Sequence, residues 1–266
     1  MAPERTPPRS PVRRYRARVE YDGTDFAGFQ AQPGARTVQG ELEAALARLT
    51  GGNRQPVDGA GRTDAGVHAE GQVIAFTYSG RLTAPELGRA LDALLPADVA
   101  IRDVRATTAR FHPRYAARYR EYRSTVWNGP RSPLRERTAL GVRVPLDTAA
   151  MARAGSVLEG RHDFSALGAA DQNPVRTVHS VRVRRSGSLV TIDVRADAFL
   201  RGMVRRIAAL LLEVGRGKMD ETGVRTALAA RVPALDGATA PAHGLSLRRV
   251  ALGRPTGNRQ ETTKNR

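Results

Sequence analysis

The chain has 266 residues, 41% of them hydrophobic, which allows one large or two modest domains around a real core. Its 43 Lys and Arg against 26 Asp and Glu leave a formal net charge of +17, with lysine only at Lys218 and Lys264. Codon bias explains Arg in place of Lys but not a surplus of charge; the surplus points to a nucleic acid before a membrane surface. The lack of cysteine excludes disulfides, thiolate nucleophiles and cysteine metal sites, and the five histidines (His68, His112, His162, His179, His243) show no metal-ligand spacing.

Residues 1–13 are Pro- and Arg-rich and read as a disordered basic arm, lacking the apolar centre of a secretory signal. Next, Tyr15, Ala17, Val19 and Tyr21 alternate with Arg16, Arg18, Glu20 and Asp22, a half-buried strand. Thr37 is placed to cap a helix carrying Val38, Leu42, Ala45, Leu46 and Leu49, stopped by Gly51 and Gly52. After a glycine-rich loop comes a strand over 73–78. Thr83 caps a second helix with Leu87, Leu91, Leu94 and Leu95, and a strand near 99–106 follows.

The second half has a strand near 118–127 and a helix from Asp147 to Leu158. A hairpin joins 178–184 to 189–194 across Ser186-Gly187-Ser188. A strong helix with Met203, Ile207, Leu210, Leu211 and Val214 on one face ends at Gly215. A further helix near 220–230 leads to a strand at 245–252, and 254–266 reads as a disordered tail. These elements predict two α+β halves with mostly antiparallel sheets: a domain over 14–112 and another over 113–253. No run approaches the about 20 apolar residues of a membrane span, so a soluble cytoplasmic protein is expected.

The glycine-rich loop GAGRTDAGVHAEGQV, residues 59–73, sets the acid Asp64 after Arg62 and Thr63, between Gly59, Gly61 and Gly66. An aspartate in such a loop is often a plain turn residue. In a chain this basic, however, a presented acid beside an arginine stands out, and Arg62 is expected to keep it ionised. His68 is read as structural rather than as a general base.

The segment FHPRYAARYREYRSTVWN, residues 111–128, places Arg118, Arg120, Tyr122 and Ser124 on one strand face. Cations around a ring make a base-binding surface, and Arg118 and Arg120 are expected on the phosphate track. The segment FLRGMVRRIAALLLEVGRG, residues 199–217, sets Arg201 and Arg205 four apart, on one side of a helix.

The string G-R-T-D-A-G-V-H-A around Asp64 resembles the signature of the tRNA pseudouridine synthase A (TruA) family. The 111–128 and 199–217 segments are similar to further family motifs, with weaker echoes in HDFSAL (162–167), NPVRTVHSV (173–181) and APAHGLSL (240–247). The resemblance runs from about residue 15 to 252.

The resemblance implies the pseudouridine synthase fold, two similar α+β halves with joined sheets and a central active-site cleft. It implies isomerisation of uridine to pseudouridine at positions 38, 39 and 40 of the tRNA anticodon stem-loop, by a homodimer; an isomerisation requires no cofactor, and with no His, Cys or carboxylates gathered at ligand spacing no metal is expected. Asp64 falls on the nucleophile, Arg205 on the arginine that pairs with it, Arg62 on a further active-site arginine, and Tyr122 on the tyrosine that lies against the target uracil. Glu121, Ser124 and Arg206 depart from the family pattern. A non-catalytic basic RNA-binding protein is the alternative. A carboxylate-assembled magnesium hydrolase is a weaker one, since only Glu70 lies near the Asp64 loop.

Overall fold

The structure, a computed structural model, describes residues 12–253 apart from 170, 232 and 233. Of the expected disordered ends, 1–11 and 254–266 lie outside the described residues, whereas Arg13 already belongs to the first strand. The first half runs β1 (Arg13–Tyr21), α1 (Val38–Leu49), β2 (Asp58–Gly59), β3 (His68–Tyr78), α2 (Ala84–Leu94) and β4 (Val99–Thr107). A short helix, α3 (Pro113–Ala116), leads into β5 (Ala117–Trp127), β6 (Leu140–Gly141), α4 (Thr148–Ser156), β7 (Gly160–Asp163), β8 (Val175–Ser186), β9 (Leu189–Ala196), α5 (Met203–Gly215), α6 (Glu221–Ala230) and β10 (Leu245–Leu252).

The helix starts follow from their caps. Thr37 Oγ1 accepts from the Gly40 N–H at 3.2 Å, Asp147 from Ala150 and Asp220 from Gly223, each meeting an orphan donor of the first turn. Before α2, Glu86 reaches back to the Thr83 N–H and hydroxyl. Helix α5 begins only at Met203, because Gly202 takes the left-handed conformation. Arg201 therefore sits in the preceding turn and does not share a helix side with Arg205, as its spacing had predicted.

All ten strands join one sheet in the order β4-β1-β3-β10-β5-β9-β8-β7, with β2 on β3 and β6 on β5. Every pairing is antiparallel except β10 with β3 and β5 with β6. The last strand in sequence thus lies mid-sheet, between β3 of the first half and β5 of the second. This is the expected mixed α+β architecture with a mostly antiparallel sheet. Alternation buries Tyr15, Ala17, Val19 and Tyr21 of β1, and Arg120, Tyr122, Ser124 and Val126 of β5. One continuous core spans both halves and takes in the apolar stripe of α5.

Strand β3 starts five residues before the predicted strand. His68 to Gln72 show no regular alternation of buried and exposed residues, and β1 and β10 pair with this stretch from its two edges. The unforeseen β2, β6, β7 and α3 are two to four residues long, too short to carry a period.

Candidate active site

The segment between β2 and β3 carries Asp64, and its backbone is pinned at nearly every residue. The Ala60 N–H donates to the Val73 carbonyl at 2.8 Å. Both polar groups of the Gly61 backbone are met by one fully buried amide: Gln72 Oε1 accepts from the N–H and Gln72 Nε2 donates to the carbonyl. Thr63 Oγ1 is 2.8 Å from the Tyr21 hydroxyl, and the Thr63 carbonyl accepts from the Phe29 N–H. The Gly66 N–H donates to Phe26, and the Val67 N–H to the Asp64 carbonyl. That close approach demands glycine at Gly28, where φ is +108° and a Cβ would lie 2.9 Å from the Thr63 carbonyl oxygen. A loop held this way presents the Arg62 and Asp64 side chains from a rigid frame.

Asp64 is 35% exposed, and Arg205 Nη1 lies 3.7 Å from its Oδ2. Arg205 is itself oriented from below: its Nε donates to the Ala240 carbonyl at 2.8 Å and its Nη2 to Thr239 Oγ1 at 3.1 Å. The structure thus brings Asp64 and Arg205 together from elements 141 residues apart. Arg62, expected to face the carboxylate, is exposed and makes no ion pair among the described residues. The Asp64 side chain is paired from α5 instead.

Tyr122 is 7% exposed, and its ring packs edge-on against Phe199 at 5.2 Å between centroids. A Cβ built on Gly61 would stand 3.7 Å from the Tyr122 hydroxyl. Burial pushes this hydroxyl up to about 12; the Arg120 guanidinium opposes the shift and the Asp64 carboxylate adds to it. At neutral pH it is therefore a protonated donor at the floor of the site. Burial raises Tyr21 too. A tyrosine that ionises later folded than unfolded contributes stability below its ordinary pKa, and this is lost as pH rises through the folded value. The unfolding midpoint is accordingly expected to fall between about pH 10 and 12. Tyr122→Phe should flatten that alkaline drop; an unchanged drop would show that Tyr122 ionises freely.

Arg120 corrects the expectation of a phosphate contact. Its guanidinium is buried and donates to three carbonyls: Ala60 from Nε and Nη2 at 3.0 and 2.6 Å, Asp197 from Nη1 at 2.8 Å, and Arg114 from Nη2 at 2.9 Å. It staples the Asp64 loop to α3 and to the segment that presents Phe199. His68 Nδ1 accepts from the Gly23 N–H, while Nε2 faces the Arg137 and His243 carbonyls, a bracing role. Glu70 is held by Arg248 and Ser246, away from Asp64.

The departures from the family pattern also have places. Ser124 lines a small cavity with Arg205 and Ala240. Glu121 lies on the opposite sheet face, paired with Arg195 at 2.8 Å. Arg206 donates to the Arg201 carbonyl. The sequence did not place Gln72, Tyr21 or Phe199 at the site. Gln72 was legible only as a polar residue inside an apolar strand.

The sequence profile of the tRNA pseudouridine synthase family matches residues 17–116 and 154–251, segments that contain Asp64 and Arg205. The chain belongs to that family. The tRNA pseudouridine synthase A of Brevibacillus brevis is 44% identical over 240 residues, which cover 89% of this chain and 98% of the relative. Its counterpart from Moorella thermoacetica is 45% identical, covering 87% and 96%. The counterpart from Halalkalibacterium halodurans is 42% identical, covering 88% and 90%. In this synthase Tyr122 lies between the two matched segments, on β5. Among the described residues no helix is long and apolar enough to cross a membrane.

Proposed function

We propose that this pseudouridine synthase isomerises uridine to pseudouridine at positions 38, 39 and 40 of the tRNA anticodon stem-loop, with Asp64 as nucleophile. One observation carries the assignment of Asp64: a half-exposed carboxylate stands on a pinned loop, 3.7 Å from a cation that is itself fixed. The reaction breaks the N1–C1′ bond and joins C5 to C1′; the proton lost from C5 is balanced by one gained at N1. Atoms and electrons balance within the substrate, so no cofactor or metal enters the proposal. A carboxylate suits the task because it can add covalently, to uracil or to ribose, and leave again. Arg205 orients it and offsets its charge against the incoming phosphates.

The target uridine must leave its stack, at a cost of a few kcal/mol. The rigid loop limits further reorganisation on binding. A plain RNA-binding protein has no use for such a carboxylate, which repels phosphate. The proposal includes a homodimer that holds one tRNA across both subunits, from the family resemblance, and the cytoplasmic location expected from the sequence. Pseudouridine mapping of tRNA incubated with the purified protein tests the reading. New pseudouridine at positions 38 to 40 is expected, and its absence there overturns the assignment of positions. Activity should persist in excess EDTA once the tRNA is folded; a loss reversed by added metal, with the tRNA intact, would contradict the metal-free mechanism.

Affinity should be governed by the surplus of +17. Each neutralised phosphate contributes a slope of about −0.7 to −0.9 in log K against log salt. A steep fall in tRNA affinity from low to moderate salt is expected. Arg205→Ala should lower turnover and barely alter that slope, because Arg205 is committed to Asp64, Ala240 and Thr239. A flattened slope with full turnover at saturating tRNA would make Arg205 a phosphate contact instead.

A further inference from the structure

Tyr115 is 81% exposed, the one aromatic among the large hydrophobic side chains that the described residues leave in solvent. Its backbone is nevertheless tightly held. His112 Nδ1 accepts from the Arg114 N–H, the Ala116 N–H donates to the His112 carbonyl, and the Gly253 N–H donates to the Ala116 carbonyl. The His112 ring lies against the Tyr115 ring, 4.7 Å between centroids. With its backbone fixed, the ring has only two side-chain torsions to immobilise on binding, so ordering it costs little.

Its place is tied to the site. The same Arg120 Nη2 that holds the Ala60 carbonyl holds the Arg114 carbonyl, so α3 and the Asp64 loop share one clamp. The second link is Asp58, two residues before Ala60: its carboxylate lies 3.8 Å from His112 Nε2 and is paired with Arg14 at 2.5 Å. Within five residues of the ring along the chain, Arg110, Arg114 and Arg118 are exposed, and none forms an ion pair among the described residues. An exposed ring among uncompensated guanidinium groups suits unstacked RNA, which offers base faces and phosphates together.

We infer that Tyr115 is a stacking platform for a base of the tRNA next to the flipped target uridine. It would replace part of the stacking that flipping removes. The inference rests on tRNA as substrate, and its test separates the two. Tyr115→Ala, Tyr115→Phe and the wild type are compared for affinity to an anticodon stem-loop with a fluorescent adenine analogue beside the target. Salt dependence, thermal midpoint and oligomeric state are followed in parallel.

Tyr115→Ala is expected to weaken binding by roughly ten-fold or more, with loss of the fluorescence change on binding, and Tyr115→Phe to restore both. Thermal midpoint and salt slope should stay as in wild type, because the ring is exposed and carries no charge. Binding within two-fold of wild type by Tyr115→Ala, with the fluorescence change kept, overturns the inference alone. A change of oligomeric state in Tyr115→Ala overturns it in favour of a contact between copies. Wild-type protein that neither binds nor modifies tRNA overturns the functional reading itself.

Discussion

Asp64→Asn is expected to abolish pseudouridine formation, with a loss of at least about 10⁴-fold, the scale seen when a covalent nucleophile is removed. The amide has nearly the same shape but lacks the charge to add to an electrophilic carbon. The frame should survive. Arg205 keeps its bonds to Ala240 and Thr239, and the loop is pinned through backbone groups and through Thr63 and Gln72, not through the carboxylate. Affinity for tRNA should therefore be unchanged or slightly higher, since a negative charge leaves a basic site. Single-turnover assays and binding at fixed salt check both halves. Residual turnover of a few per cent in a clean preparation would remove Asp64 as nucleophile, and a matching fall in affinity would make it a binding residue.

Arg120→Met is the second large effect. The substitution leaves the buried Ala60 carbonyl and the part-buried Asp197 and Arg114 carbonyls without their donors. Unmet groups of this kind cost about 2–5 kcal/mol together. For a chain of this size that lowers the thermal midpoint by roughly 5–15 °C. Turnover should fall by about 100-fold even below the new midpoint, because the Asp64 loop loses its tie to β5 and the reacting atoms go out of place. Arg120→Lys, with one compact ammonium in place of a planar fork, should recover only part of either loss. The salt slope of tRNA binding should not move in either variant. A flattened slope with an unchanged midpoint would return Arg120 to the phosphate track. A kcat equal to wild type at permissive temperature would show that the clamp serves stability alone.

Much of the architecture was legible in local patterns. Alternation marked β1, the Thr37, Thr83 and Asp147 caps marked three helix starts, and the stripe from Met203 to Val214 marked α5. These signals are short-range, so the sequence carries them directly. The charge surplus and the ordered string around Asp64 likewise pointed to RNA and to a presented acid. What local patterns could not decide was which arginine does what. Arg62, Arg118, Arg120 and Arg205 are equivalent as letters; proximity in sequence set Arg62 beside Asp64, and only the family resemblance put Arg205 on the arginine that pairs with it.

Folding decides it. β10 inserts between β3 and β5, the two halves close into one sheet, and α5 brings Arg205 to the carboxylate. Period-two alternation placed Arg120 beside Tyr122 on one strand face, but whether that face meets water or core depends on what packs over it. It meets the Asp64 loop, so the guanidinium became a buried clamp. Arg201 and Arg205 were four apart and looked paired until Gly202 ended the turn between them. By itself the sequence determined the longer elements, the basic character and the presented acid, because those depend on neighbours along the chain. The tertiary structure shows Arg205 at Asp64, a pairing that the resemblance implied and no local pattern carried, and it alone decided the burial of Arg120 and Tyr122, because these depend on contacts between residues far apart in sequence.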